Sequence, residues 1–188
     1  MHSEAFAWVQ HHADKINGIR QGYSVLDIGG RNVNGSIRSL FPLAETYHAL
    51  DATAGPEVDI VADAATWRPD RQYDIVVCCE VFEHAAEWPS IVGTAWDATL
   101  TGGAFIATMA GPGRPPHGQH GDPVPLEGEY YANVHPRELA AVLHRTGWRH
   151  VTVDVQPSPA DVRCVARRPG VLGEEDSVLR GVILRGLS

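Results

Sequence analysis

Lysine, cysteine and long apolar runs are all scarce in this chain, and each shortage excludes something. Lys15 is the only lysine among 188 residues, the other basic residues all being arginine. No lysine therefore follows a glycine-rich loop, so a phosphate-cradling Gly-Lys-Ser/Thr loop is excluded. The same bias toward arginine points to a GC-rich bacterial source. Cys78 and Cys79 are adjacent within an apolar run, Cys164 stands alone, and no C-x-x-C spacing occurs. That pattern fits reduced, buried thiols and neither a disulfide framework nor a zinc ribbon. No apolar stretch approaches the roughly 20 residues needed to span a bilayer. The opening MHSEAFAWVQHHADK has acids and histidines where a secretory leader has a basic end and an apolar stretch, so a cytoplasmic protein without membrane attachment is expected. Positive charge is also short: 15 basic against 23 acidic residues give a net charge of −8, which makes nucleic acid an unfavoured partner. What remains is 44% apolar and 20% charged, a globular composition long enough for a core without staples.

Along the chain, Ala5, Trp8, Val9, His12, Ala13 and Ile16 recur at helical spacing until Asn17-Gly18. A strand over Ser24–Ile28 runs into a glycine-rich turn, and Ser36–Leu40 reads as a short helical stretch. Strands are expected at Tyr47–Leu50, Val58–Val61, Tyr73–Cys79 and Ala104–Met109, the last after a Gly102-Gly103 turn. YDIVVCC is nearly all apolar, as a strand covered on both faces should be. Helices are expected at Ser90–Thr99 and Pro136–Thr146, and Trp148–Val155 with Asp161–Arg168 reads as a terminal hairpin. The alternation predicts an α/β chain: one Rossmann-like three-layer domain over residues 1–168, its mostly parallel seven-stranded sheet closed by a C-terminal antiparallel hairpin. Residues 110–135, dense in Gly, Pro and His, form a long substrate-side loop. Residues 169–188 form a tail with helix-like apolar spacing, which could pack on the body or on a second copy in a homodimer.

In such a sheet, ligands bind beyond the carboxyl ends of the strands. Those ends carry acids in series: Asp27 before Gly29 and Gly30, then Asp51, Asp63 and Glu80. The stretch VLDIGGRNVNG fails the dinucleotide fingerprint, because Arg31 and Asn34 stand where its second and third glycines should be. A strand ending in acid-x-Gly remains.

That remnant resembles the first motif of class I S-adenosylmethionine-dependent methyltransferases, acid-x-Gly-x-Gly-x-Gly, with Asp27 and Gly29 matching and Arg31 and Val33 replacing the later glycines. Asp51 in YHALD resembles the acid that holds the ribose hydroxyls, and Asp63 in VADA the one that faces the adenine amine. YDIVVCCEVFEH is similar to the Glu-x-x-Glu-His variant of small-molecule methyltransferases, and TGGAFIATMAG to the turn and fifth strand. The resemblance spans residues 20–168. It implies S-adenosylmethionine as cofactor, S-adenosylhomocysteine as product, and a cofactor site of Asp27, Gly29, Gly30, Asp51, Ala52, Asp63, Ala64 and Glu80. Carboxylates suit the hydroxyls, amine and sulfonium of a ligand that lacks phosphate. Arg31 is expected to point toward solvent or the first helix.

For an O-directed transfer to a small-molecule acceptor, a base or metal must deal with the acceptor proton. Should residues 80–84 begin a helix, Glu80, Glu83 and His84 share a face. With a distal histidine, first of all His135, they would form a divalent-metal site similar to that of small-RNA 2′-O-methyltransferases, although metal-free relatives carry the same motif. His135, His84 and His117 are the candidate catalytic residues, with His120 and Asp122 nearby. Tyr130-Tyr131 reads either as an aromatic lid or as an anchor, and Arg114 as a grip for an acidic acceptor. Two other functions stay open: a non-catalytic cofactor-binding scaffold, if Arg31 and Val33 crowd the loop, and a metal-dependent RNA 2′-O-methyltransferase.

Overall fold

A computed structural model describes residues 2–170, so the tail expected beyond Gly170 lies outside the described residues. Seven strands form one sheet: β1 (Tyr23–Ile28), β2 (Ala44–Asp51), β3 (Ile60–Val61), β4 (Tyr73–Cys79), β5 (Thr99–Ala110), β6 (Arg149–Gln156) and β7 (Asp161–Arg167). Their order is β3-β2-β1-β4-β5-β7-β6. The first five are parallel, and β7 runs antiparallel to both β5 and β6. The expected mostly parallel sheet with a terminal antiparallel hairpin is what forms.

Among the described residues three α-helices complete the layers: α1 (Ser3–Asn17), α2 (Trp88–Ala98) and α3 (Pro136–Thr146). The apolar side of α1, with Val9, Ala13 and Ile16, packs on Val25, Ile75 and Ile106. Helices α2 and α3 cover the opposite face, where Ile91, Val92 and Leu139 meet Leu26, Val76 and Phe105. Strand β4 thus sends Ile75 and Val77 to one core and Val76 and Cys78 to the other, which is why its sequence does not alternate. Trp148, fully buried, stacks on Phe105 at 5.3 Å between ring centres and meets Trp96 edge-on at 5.2 Å. In α3 His135 is the N-cap, its Nδ1 accepting from the Arg137 amide, and Gly147 ends the helix at φ +115°.

Two local expectations change. The stretch 36–40 forms only a single 3-10 turn, Arg38–Leu40. Strand β5 begins at Thr99 and runs through Gly102-Gly103, its register to β4 shifting there. The backbone crowds Gly103 so closely that a Cβ there would sit 2.8 Å from the Asp74 carbonyl oxygen. The glycine pair serves close approach of two strands, and the chain does not turn back.

Candidate functional site

Strand β1 leads on one side to β2 and on the other to β4, so the sheet's switch point lies at their carboxyl ends. A cleft of about 710 Å³ opens there, within the usual range of small-molecule sites. Every residue expected to bind the cofactor lines it: Asp27, Gly29, Gly30, Asp51, Ala52, Asp63, Ala64 and Glu80.

At the cleft floor, β1 ends in Ile28 and the chain turns at Gly29, φ +78°. A Cβ on Gly29 would collide with Val81 Cγ2, and one on Gly30 would sit 2.8 Å from Asp27 Oδ2. Both glycines are needed to keep this loop close to the sheet, where their amides donate to the Leu50 carbonyl at 2.7 and 3.1 Å. Beneath them lies the Asp27 carboxyl, accepting from the Tyr47 hydroxyl at 2.7 Å. Burial pushes it up to about 7, against the pull of the Tyr47 hydrogen bond.

Asp51 Oδ1 accepts from the Thr53 amide at 2.8 Å, and Oδ2 faces the Arg31 amide at 3.4 Å. Asp63 caps the next turn, accepting from the Ala65 amide at 2.8 Å. The Arg31 side chain is partly exposed to solvent and is not directed to α1. It lies over Gly55 in the loop after β2, its Cδ 2.9 Å from where a Gly55 Cβ would be, so it borders the Asp51 end of the cleft.

Beyond β4 the expected helical face does not form. Glu80 takes φ +56°, and only Phe82–His84 make a 3-10 turn. The change in backbone direction sends the two carboxylates to different places. Glu80 accepts from the Thr108 hydroxyl at 2.9 Å and faces His2 Nε2 at 3.2 Å and Arg114 Nη2 at 3.8 Å. Burial opposes its ionisation, but hydrogen bonds from His2 and Thr108 and the charge of His2 hold it below the ordinary carboxylate value. Arg114 and His2 also pair with the fully buried Asp161. Hydrogen bonds to Asp161 and Glu80 raise His2 to about 10. Arg114 is therefore committed to protein carboxylates and is not an open grip for an acceptor.

Glu83 instead turns into the protein, fully buried, with Oε1 accepting from the Ala110 amide at 3.2 Å. Burial and the nearby charge of Glu80 push its carboxyl well above the ordinary value. His84 and His117 line the cleft beside it, ring centres 5.0 Å apart, and Tyr131 meets both edge-on at 5.5 and 5.0 Å. Burial and the neighbouring His117 lower His84 to about 4. Of the expected metal set, Glu83 and His84 come together, whereas Glu80 joins His2 and Asp161. His135 is exposed at the start of α3 and is not among the residues lining the cleft. The set Glu80, Glu83, His84 and His135 is not assembled, because it presumed a helix at 80–84.

Residues 117–121 of the long loop line the cleft opposite the strand ends and meet the first loop, Gly121 packing against Asn34. Amides of Ala132 and Val134, donating to the Glu83 and Ala110 carbonyls, tie the loop's far end to the sheet. Tyr131 acts here as an anchor, while Tyr130 is 44% exposed. His2 and Asp161 escaped sequence reading: both lie far in sequence from Glu80, and neither belongs to a local motif. No helix among the described residues is long and apolar enough to cross a membrane.

No protein-family model and no curated protein matches this sequence. Solved structures match its fold. DhpI in complex with SAH is 23% identical with a TM-score of 0.59, over 78% of this chain and 76% of that one. Burkholderia thailandensis 1,6-didemethyltoxoflavin-N1-methyltransferase, with 1,6-didemethyltoxoflavin and S-adenosylhomocysteine bound, is 14% identical with a TM-score of 0.65, over 88% and 77%. Haemonchus contortus phosphoethanolamine N-methyltransferase 2, in complex with S-adenosyl-L-methionine, is 13% identical with a TM-score of 0.64; 88% of this chain spans 52% of that one. The chain has the fold of the class I S-adenosylmethionine-dependent methyltransferases.

Proposed function

We propose that this protein is an S-adenosylmethionine-dependent methyltransferase acting on a small-molecule acceptor, with transfer to oxygen. The observation that carries the reading is the row of carboxylates at the strand ends around one cleft, beside a glycine turn in which a Cβ has no room. Such a site fits the cofactor. Carboxylates accept from hydroxyls and amines, and the floor beside Gly29 and Gly30 is bare backbone. When bound, S-adenosylmethionine supplies a methyl group activated by its sulfonium charge.

In this reading Asp51 holds the ribose hydroxyls, and Asp63 with Ala52 and Ala64 frames the adenine. Asp27, Gly29, Gly30 and Glu80 frame the methionine portion. Residues 117–121 hold the acceptor against the cofactor; positioning of this kind supplies roughly 7–11 kcal/mol in favourable cases. His84 and His117 are the imidazoles of the cleft wall and deal with the acceptor proton, the need that favours oxygen as the methylated atom. His135 serves as the cap of α3 and takes no part. A small-molecule acceptor agrees with the acidic balance of the chain, which opposes an RNA substrate.

Calorimetric titration with S-adenosylhomocysteine tests the cofactor, and methyl transfer to a panel of phenols, hydroxy acids and amines tests the acceptor. Stoichiometric binding with product from hydroxyl compounds is expected. No binding by a folded sample would overturn the reading, and binding without transfer to any acceptor would favour a non-catalytic scaffold.

A further inference from the structure

We propose that Glu83, His84 and His117 form a binding site for a divalent transition metal on the wall of the cleft. One ligand atom from each of the three lies within 4.8 Å of the other two. This set differs from the one the Glu-x-x-Glu-His motif suggests: Glu80 is bound to Thr108 and His2, and His135 caps α3.

Two buried polar atoms at this spot lack hydrogen-bond partners among the described residues, Glu83 Oε2 and His84 Nδ1. Glu83 is fully buried, so no solvent compensates its oxygen. His117 is arranged as a ligand. Its Nδ1 lies 3.3 Å from the Pro115 carbonyl oxygen, an acceptor, which makes Nδ1 the donor and leaves the Nε2 lone pair free. That Nε2 is 3.9 Å from Glu83 Oε1, too far for a hydrogen bond. Two atoms each bonded to one ion at about 2.1 Å lie about 3 to 4.2 Å apart, depending on the angle between them, so the 3.9 Å separation of His117 and Glu83 suits a shared ion. The surroundings brace the ligands as metal sites usually are. The Ala110 amide holds Glu83 Oε1, and the Tyr131 hydroxyl donates to the Pro115 carbonyl that orients His117.

Two imidazoles and one carboxylate select zinc, cobalt, nickel or iron(II) over magnesium and calcium, which prefer oxygen ligands. His84 and His117 line the cleft, so an ion they held would be within reach of an acceptor there. An ion held there would lower the pKa of an acceptor hydroxyl, and holding that ion is how His84 and His117 would deal with the acceptor proton. This role rests on the methyl-transfer reading; the site itself does not.

The test uses the full chain without an affinity tag, stripped with a chelator and titrated with Co²⁺, Zn²⁺ and Mg²⁺ by calorimetry and, for cobalt, visible absorption. One equivalent of Co²⁺ or Zn²⁺ is expected to bind, without competition from Mg²⁺. His117→Ala, on a partly exposed loop, should keep the melting temperature and weaken binding by roughly tenfold or more, as should His84→Ala. Glu83→Gln should do the same provided it melts as a folded protein; if it does not fold, the two histidine variants decide. His135→Ala should bind as wild type. The proposal is overturned if folded wild type binds neither ion, if His117→Ala binds unchanged, or if His135→Ala loses binding. S-adenosylhomocysteine titrated into the same sample separates the two readings: cofactor binding without metal removes this proposal alone, and metal binding without cofactor removes the other alone.

Discussion

Asp27 and Asp51 end neighbouring strands and carry the same group, yet their surroundings give them different work. Asp27 is sealed beneath Gly30 and bound by Tyr47, and its carboxyl is raised to about 7 by burial. A raised folded value favours the neutral acid, so its contribution is fully present below the ordinary value of 3.8 and is lost as pH climbs to about 7. Asp27→Asn keeps an acceptor for Tyr47 without the charge. Urea midpoints should therefore show the variant close to wild type near pH 4 and more stable above pH 7; a variant less stable at both would contradict the assignment. Asp51 is partly exposed in the cleft, where its side-chain oxygens can accept from hydroxyls. Asp51→Asn loses charge-assisted bonds of about 1.5–3 kcal/mol, so S-adenosylhomocysteine affinity should fall roughly tenfold to hundredfold while the melting temperature holds. Unchanged affinity would remove Asp51 from the proposed ribose site. The presence of both acids was legible in the sequence; their different burial was not, since it depends on Tyr47 and Ala49 arriving from β2.

Among the elements, the loop between β1 and β2 is held by sterics. At φ +78° an alanine in place of Gly29 costs about 1–2 kcal/mol in backbone strain, and its Cβ also meets Val81. Gly29→Ala is expected to lower the urea midpoint and weaken S-adenosylhomocysteine binding. Adding Val81→Ala should restore only part of the stability, because it clears the clash but not the backbone strain. Full restoration in a double-mutant cycle would show that the positive φ costs nothing. The strands themselves were legible because β1 and β4 lie in the middle of the sheet and must be apolar on both faces. The segment after β4 misled because one residue, Glu80 at φ +56°, breaks the helical periodicity that Glu80, Glu83 and His84 would need to share a face. Gly102-Gly103 misled for a different reason: glycine marks both turns and tight strand contacts, and here Gly103 faces Asp74 of β4 across the register shift.

Across the whole molecule, the start of α1 is tied to the far side of the sheet. His2 pairs with Glu80 after β4 and Asp161 at the start of β7, and Arg114 joins the same carboxylates. His2 is raised from 6.5 to about 10, so its stabilising contribution is fully present below pH 6.5 and is lost as pH rises through about 10. His2→Gln should accordingly lower the urea midpoint at pH 6 and differ little from wild type at pH 10.5. An equal difference at both values would show that the imidazolium charge is not what ties α1 to the cleft.

What the sequence by itself determined is the layered sheet and the acids at its strand ends. Both follow from local pattern: apolar runs of strand length, each stopped by a carboxylate and a turn. Only the tertiary structure decided which carboxylates are open, which are sealed, and which side chains meet. His2 with Asp161, and His84 with His117, come together through strand order and through a loop that crosses the cleft. No periodicity along the chain records those separations, because they are set by how the sheet closes and where the long loop is tied down.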